Sequence, residues 1–410
     1  MPKSNHFIGQ PLYNQVIKLL DKSKILRISR QHGGERYIKR FDSWTHLVVM
    51  LYAVIKRFDS LREISASLQA EAHKLGHLGI STMTSRSTLS DANKRRSETI
   101  FEAVYRDLYA TYRHRLLSDS RSRKTPKWMK RLQIIDSTTI RLFSNLVFKG
   151  VGRHPKTGKK KGGIKVHTVI HANEGVPSDI KFTSAATNDS FMLKPSSLNQ
   201  GDIVALDRAY LDYGKFEELT QRGVIYVTKM KKRLKYSIQE DMMYQTPDGL
   251  MEVRLQKVLF TKELPNRDTI THHARIITYP DVVKRKLISL LTNDMDTDSS
   301  EIIAIYHQRW AIETLFKQIK QNFPLKYFYG ESANAIKIQI WVTLIANLLL
   351  MVMQRSLQRS WSFSGLATMV RITLMYYVDF YSLFNHPEKD WEARLKATAE
   401  SPPLQLSLFE

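Results

Sequence analysis

Residues 201–211 read "GDIVALDRAYL": four consecutive apolar side chains, Ile203 to Leu206, stop at a carboxylate, Asp207. An apolar run without polar alternation marks a strand covered on both faces, as in the interior of an α/β sheet. The neighbouring segments agree. "LQIIDSTTIRL" (132–142) is a short apolar run that ends in Asp136 and Thr-rich residues, and "GGIKVHTVIHANEGVPSDIKFTSA" (162–185) alternates on both sides of "NEG" as a β-hairpin does. "GKFEELTQRG" (214–223) then reads as a helix and "VIYVTKM" (224–230) as another strand. The order predicts a mixed α/β sheet flanked by helices.

Between about residues 229 and 300 the strand-like stretches "VRLQKVLFTKEL" and "HHARIITYP" read as a β-rich insertion. Helical periodicity returns at 301–385, and 386–410 is a short Pro-containing tail. Before the sheet, residues 1–125 are helical in pattern, and "SRSRKTPKW" (120–128) is a basic linker. Within that region "DSLREISASL", "GIS" and "SRSTLSDANKRR" (85–96) suggest helix, turn and second helix, with Ser85 or Ser87 as N-cap. That arrangement is either a DNA-reading helix-turn-helix or an ordinary three-helix packing with a solvated basic end. The expected organisation is therefore 1–125 as a helical DNA-binding domain, 126–228 and 301–385 as two parts of a catalytic domain, and 229–300 as the insertion.

The chain of 410 residues carries 63 Lys and Arg against 39 Asp and Glu, a formal charge of +24 spread along its length. A field of that size suits a polyanion, usually nucleic acid, although a merely basic soluble protein has the same balance. With no cysteine, disulfides, thiolate metal sites and a Cys nucleophile are excluded, so any metal must be held by Asp, Glu or His. The N-terminal "MPKSNHFIGQ" has no apolar signal region, and the expected location is cytoplasmic. "IWVTLIANLLLMVM" (340–353) is short for a membrane span and reads as a buried helix, so no membrane partner is expected.

"YHQRWAIETLFKQIK" (306–320) carries the chemistry. On a continuous helix at about 100° per residue, Tyr306, Arg309, Glu313 and Lys320 fall in a sector about 60° wide, bordering the apolar Ile305, Ile312, Phe316 and Ile319. Arg309 and Glu313 alone could be an i,i+4 surface ion pair. Asp136 and Asp207, each closing a buried strand, add two carboxylates that must be solvated, paired or metal-bound. Two strand acids and a helix acid would repel one another until a divalent cation neutralised them. Oxygen ligands with open positions suit Mg²⁺ or Mn²⁺, and two such ions can drive cleavage at a phosphodiester.

Asp136-Ser-Thr, Asp207-Arg-Ala-Tyr and the spacing Tyr306, Arg309, Glu313, Lys320 together resemble the DDE transposases of bacterial insertion sequences, in the group named for its Tyr-Arg-Glu-Lys signature (insertion-sequence family four). The resemblance covers residues 130–325, insertion included. It implies a ribonuclease H-like catalytic domain in which Asp136, Asp207 and Glu313 hold two Mg²⁺ ions. It also implies a DNA transposase that binds terminal inverted repeats of double-stranded DNA as a synaptic homodimer, cuts the element ends and joins the 3′-hydroxyls to target DNA. Tyr306, Arg309 and Lys320 would contact DNA near the scissile phosphate, with Arg208 alongside. A nuclease that cuts without joining and a catalytically dead DNA-binding protein are the alternatives.

Other signals are weaker. "RHPKTGKKKGG" (153–163) lacks the ending of a nucleotide-binding P-loop and is either a phosphate contact or a solvated loop. His167 and His171 lack enough nearby ligands for zinc and read as structural. The tail "QLSLF", with Gln405, Leu406, Leu408 and Phe409, resembles the peptide by which bacterial replication and repair proteins dock on the DNA polymerase sliding clamp; packing on its own domain is the alternative.

Overall fold

The computed structural model describes residues 9–117, 126–141, 163–231, 233–245, 252–263, 269–281, 285–388, 392 and 395–396. The basic loop at 153–162 and the clamp-like tail at 405–409 lie outside the described residues. The chain forms two compact units, residues 116–317 and residues 1–115 with 318–410. This differs from the expected division. The helices after residue 318 group with the N-terminal helices, and the strands of 229–300 belong to the same unit as the first sheet strands.

The helical unit contains α1 (Leu12–Ile17), α2 (Lys22–Gln31), α3 (Ser43–Lys56), α4 (Leu61–Ala70), α5 (Arg86–Arg95) and α6 (Glu98–Leu116), the last ending at the boundary. From α3 every residue but Lys56 is buried, because the helix is apolar all round. Residues 71–85, including a 3₁₀ turn at Ala72–Leu78, separate α4 from α5. That connection is far longer than the turn of about three or four residues in a helix-turn-helix, so of the two alternatives the helix-turn-helix is not formed by α4 and α5. The N-cap of α5 is Ser85, whose Oγ accepts the Thr88 N–H at 3.1 Å.

The sheet unit holds β1 (Leu132–Arg141), β2 (Gly163–His171), β3 (Pro177–Ser184), β4 (Ile203–Leu206), α7 (Tyr213–Gln221), β5 (Ile225–Lys229), β6 (Ser237–Gln245), β7 (Glu252–Glu263), β8 (Thr269–Asp281) and β9 (Lys286–Thr292). It continues into α8 (Ser299–His307) and α9 (Trp310–Asn322). The remaining helices are α10 (Ala333–Arg355), α11 (Phe363–Thr373) and α12 (Phe380–Asn385). Only α10 is long and apolar enough to cross a membrane among the described residues, and 94% of its apolar window is buried inside the protein. This is the buried helix expected from "IWVTLIANLLLMVM".

All nine strands form one sheet in the order β3-β2-β1-β4-β5-β9-β8-β7-β6. β2 and β3 are the expected hairpin, and β4 is parallel to β1 on one side and β5 on the other, which is why all four of its residues are buried and apolar. α7 makes the crossover between β4 and β5. The strands read as a β-rich insertion extend this sheet, because β9 pairs antiparallel with β5. One hydrophobic core runs through both parts and includes Leu206, Phe216, Tyr226, Phe260, Ile276 and Leu291. The buried His272 of β8 fastens them, its Nε2 accepting the Tyr226 hydroxyl at 2.7 Å and its Nδ1–H donating to the Glu217 carboxylate of α7 at 2.9 Å.

Candidate active site

β1 and β4 run in register from Leu132 beside Ile203 to Ile135 beside Leu206. Asp136 and Asp207 are the next residue on each strand, so the two acids stand at the same level where the parallel pairing ends. Ligand sites of α/β sheets form at this carboxyl edge. Asp207 directly follows β4 and caps the next turn, its Oδ1 accepting the Ala209 N–H at 2.9 Å. Asp136 does not end its strand: β1 continues to Arg141, paired there only with β2. The Ser137 N–H donates to Asp136 Oδ1 at 2.7 Å.

The third acid arrives on α9. The loop before α8 is tied down by Arg275 of β8, 3% exposed, which donates to the carbonyls of Met295 (3.2 Å) and Thr297 (2.6 Å). Asp298 then caps α8 by accepting the Ser300 N–H at 2.8 Å. Removing the Arg275 side chain leaves both carbonyls and a buried void unfilled. Arg275→Ala is therefore expected to destabilise the fold by about 2–4 kcal/mol, read from urea unfolding, whereas a change within about 0.5 kcal/mol would show that the loop holds itself.

The continuous helix expected over 306–320 is broken. α8 ends at His307 and α9 begins at Trp310, and the turn between them is tight: Arg309 N–H bonds to Tyr306 O at 3.1 Å, Ala311 N–H to Gln308 O at 2.9 Å and Ile312 N–H to Arg309 O at 3.3 Å. Bonds of this i to i−3 kind set three residues per turn and eclipse side chains three apart. Arg309 accordingly lies over the Tyr306 ring, its guanidinium carbon 5.8 Å from the ring centre. Both residues are buried, each 8% exposed.

Arg309 is not part of a surface pair. Its Nη1 donates to Asp136 Oδ2 at 3.1 Å and its Nη2 donates to Glu313 Oε1, so one guanidinium bridges a strand acid and a helix acid far apart in sequence. Glu313, in the first turn of α9, also sits where the helix dipole favours negative charge. The Asp136 side chain is 17% exposed, and burial pushes its carboxyl up to about 6. The Ser137 N–H and Arg309 pull it down, while the Asp207 and Glu313 carboxylates push it up. Of the other expected DNA contacts, Arg208 is exposed just after Asp207, and Lys320 is exposed in the last turn of α9. The structure thus brings Asp136, Arg309 and Glu313 together on one side of the β1–β4 edge, with Asp207 close enough in charge to act on Asp136.

An all-oxygen donor set of three carboxylates fits a hard divalent cation, and positive charge already lies against it in the form of Arg309. Among the described residues no three His, Cys, Asp or Glu side chains are gathered closely enough to hold one ion, the guanidinium bridging Asp136 and Glu313. The sequence reading missed Asp189, whose carboxylate accepts the Ser137 hydroxyl at 2.7 Å and pairs with Lys165 at 3.3 Å. No spacing motif announces it. His167, read as structural, is 5% exposed and bonds to Thr183 Oγ1 at 2.7 Å.

A family model described as "Transposase DDE domain" matches residues 127–349, just over half of the chain, and "Domain of unknown function (DUF4372)" matches residues 8–81. Among curated proteins the chain is similar to the candidate transposase y4zB of Sinorhizobium fredii, 28% identical over 65% of this chain and 71% of that protein. It is similar to the candidate transposase for insertion sequence element IS5377 of Geobacillus stearothermophilus, 24% identical over 56% of this chain and 58% of that protein. The candidate transposase for insertion sequence element IS4SA of Synechocystis is also 24% identical, over 64% and 70%.

Proposed function

The chain belongs to the transposase DDE domain family, and from that we propose that it cuts the ends of an insertion sequence and joins the freed 3′-hydroxyls to target DNA. Enzymes of this family act on DNA and depend on divalent metal. The finer reading is a ribonuclease H-like site of the Tyr-Arg-Glu-Lys group, acting on terminal inverted repeats in the cytoplasm as a homodimer. The strand order β3-β2-β1-β4-β5 supports the ribonuclease H-like part. The observation that carries the proposal is the bridge from Asp136 through the buried Arg309 to the part-exposed Glu313 at the edge where Asp207 stands.

Asp136, Asp207 and Glu313 are the residues that would hold Mg²⁺ or Mn²⁺, two ions in the full reading. Bound there, divalent ions supply activation of a water or 3′-hydroxyl and stabilisation of the leaving oxygen. The protein's own part is to fix the carboxylates. Ser137 N–H and Arg309 hold Asp136, the 3₁₀ turn holds Asp207, and Arg275 sets the entry of the segment that carries Glu313. Arg309, a planar fork, can exchange its carboxylates for phosphate oxygens when DNA enters. Tyr306, Lys320 and Arg208 would share that contact, and the exposed Arg86, Lys94 and Arg95 of α5 are suited to the DNA backbone. The sliding-clamp docking of Gln405, Leu406, Leu408 and Phe409 remains part of the proposal.

The test is a labelled duplex carrying the element's end, incubated with Mg²⁺ or with EDTA. Nicked and joined products with Mg²⁺, and neither with EDTA, are the expected result. Nicks without joined strands would favour the nuclease reading, and cutting in EDTA would defeat the carboxylate mechanism.

A further inference from the structure

Asp136 sits at a weak point of the sheet. β4 ends at Leu206, opposite Ile135, so from Asp136 onward β1 has a backbone partner on the β2 side only. A carboxylate that must hold a fixed geometry needs support there from something besides the ladder. Ser137 receives such support from Asp189, which opens a short 3₁₀ turn, Asp189–Met192, after β3.

The register explains how. Ser137 pairs with His167 and Thr139 with Lys165, and side chains alternate along a strand, so Ser137, His167 and Lys165 share one face while Asp136 points to the other. On that face the Asp189 carboxylate accepts the Ser137 hydroxyl at 2.7 Å, lies 3.3 Å from Lys165 Nζ and lies 3.5 Å from His167 Nδ1. Lys165 is itself anchored, donating to Thr187 O at 2.7 Å. His167 Nε2 meets Thr183 Oγ1 at 2.7 Å, and burial lowers this imidazole to about 4, leaving it neutral at pH 7 so that Lys165 is the cation that balances Asp189. Ser137 is thus held at both ends. Its hydroxyl is fixed by Asp189 on one face and its N–H meets Asp136 Oδ1 at 2.7 Å on the other.

We propose that Asp189, anchored by Lys165, is a positioning residue for the catalytic carboxylate Asp136 and acts through Ser137. The inference rests on the proposed reading of Asp136 as a metal-holding acid. Its loss should weaken divalent-ion binding while leaving the fold in place, since partners behind a metal ligand typically contribute about 10–100-fold to affinity or activity.

The experiment measures Mn²⁺ binding to the full chain by electron paramagnetic resonance of the free ion, beside urea unfolding. It uses the wild type, Ser137→Ala, Asp189→Ala, Asp189→Asn and the double variant Ser137→Ala with Asp189→Ala. Ser137→Ala leaves the Asp189–Lys165 pair intact and so keeps the test open even if Asp189→Ala fails to fold. Both alanine variants are expected to bind Mn²⁺ about 10-fold or more weakly. The double variant is expected to be no weaker than the worse single, because both cuts sever one chain of bonds. Asn, which still offers an acceptor oxygen to Ser137, should recover part of the loss. Wild-type Mn²⁺ affinity in Ser137→Ala, or losses that multiply in the double variant, would overturn the inference while leaving the function standing. A wild type that neither binds Mn²⁺ nor cuts DNA overturns both.

Discussion

Asp136→Asn is expected to yield a protein that is more stable than the wild type and inactive. The folded environment binds the Asp136 proton more tightly than the unfolded chain does, about 6 against 3.8, chiefly through burial. The stabilising effect of that proton is fully present below about pH 3.8 and is lost as pH rises through about 6. At about pH 8 the folded wild type therefore carries a carboxylate that burial disfavours, at roughly 2–3 kcal/mol for a shift of about two units. Asn removes the charge and keeps an acceptor for the Ser137 N–H. Its advantage should be largest in alkaline buffer and vanish by about pH 4. Nicking and joining should fall by about 10⁴-fold or more, the scale seen when a member of a catalytic group is removed. His167 titrates in the opposite sense, held at about 4 in the fold, so its stabilising contribution is present above about 6.5 and lost as pH falls. Comparing the variant with the wild type at each pH cancels that background. A variant that loses both stability and activity would make Asp136 a structural residue.

A stable but inactive variant separates function from fold because the acids lie where the sheet does not need them. The parts of this arrangement that were legible in the sequence are those set by local environment. The run Ile203–Leu206 announces a strand with a neighbour on each side, and the apolar circumference of α10 announces burial. Both follow from burial alone, whatever the distant partner is. The three acids stand out in the sequence for a related reason, as charges closing or bordering apolar segments.

What escaped the reading depended on partners far along the chain. The strands of 229–300 read as an insertion in sequence, yet β9 closes on β5 across an excursion of three strands, β6 to β8, that no local pattern encodes. The break at Gln308–Arg309 has no Pro or Gly to signal it; in the structure Arg309 turns toward Asp136 instead of continuing a helical stripe. Asp189 lies in "ATNDS", an ordinary loop composition, and acquires its role only because the β1–β2 register puts Ser137 and Lys165 beneath it.

Arg309→Ala puts that break to the sharpest test. If the guanidinium bridges the buried Asp136 and the part-exposed Glu313, removing it leaves Asp136 charged without a partner in alkaline buffer, a loss of up to about 3–5 kcal/mol. Losing Arg309, one of the groups that pull the Asp136 carboxyl down, raises that carboxyl further above about 6, so the loss should shrink as pH falls toward about 6 and be gone below it. Mg²⁺ should restore part of the stability, because a cation that binds only the folded state shifts the unfolding balance toward it. Arg309→Lys should recover little, since a single ammonium cannot serve two acids through a planar fork. Urea unfolding at several pH values, with and without Mg²⁺, reads all of this. An exposed i,i+4 pair would contribute only a few tenths of a kcal/mol, nearly independent of pH and indifferent to divalent ions. Such a small flat loss would detach α9 from β1, whereas a large loss that acid or Mg²⁺ relieves would mean that Arg309 holds Asp136 and Glu313 in place of a metal.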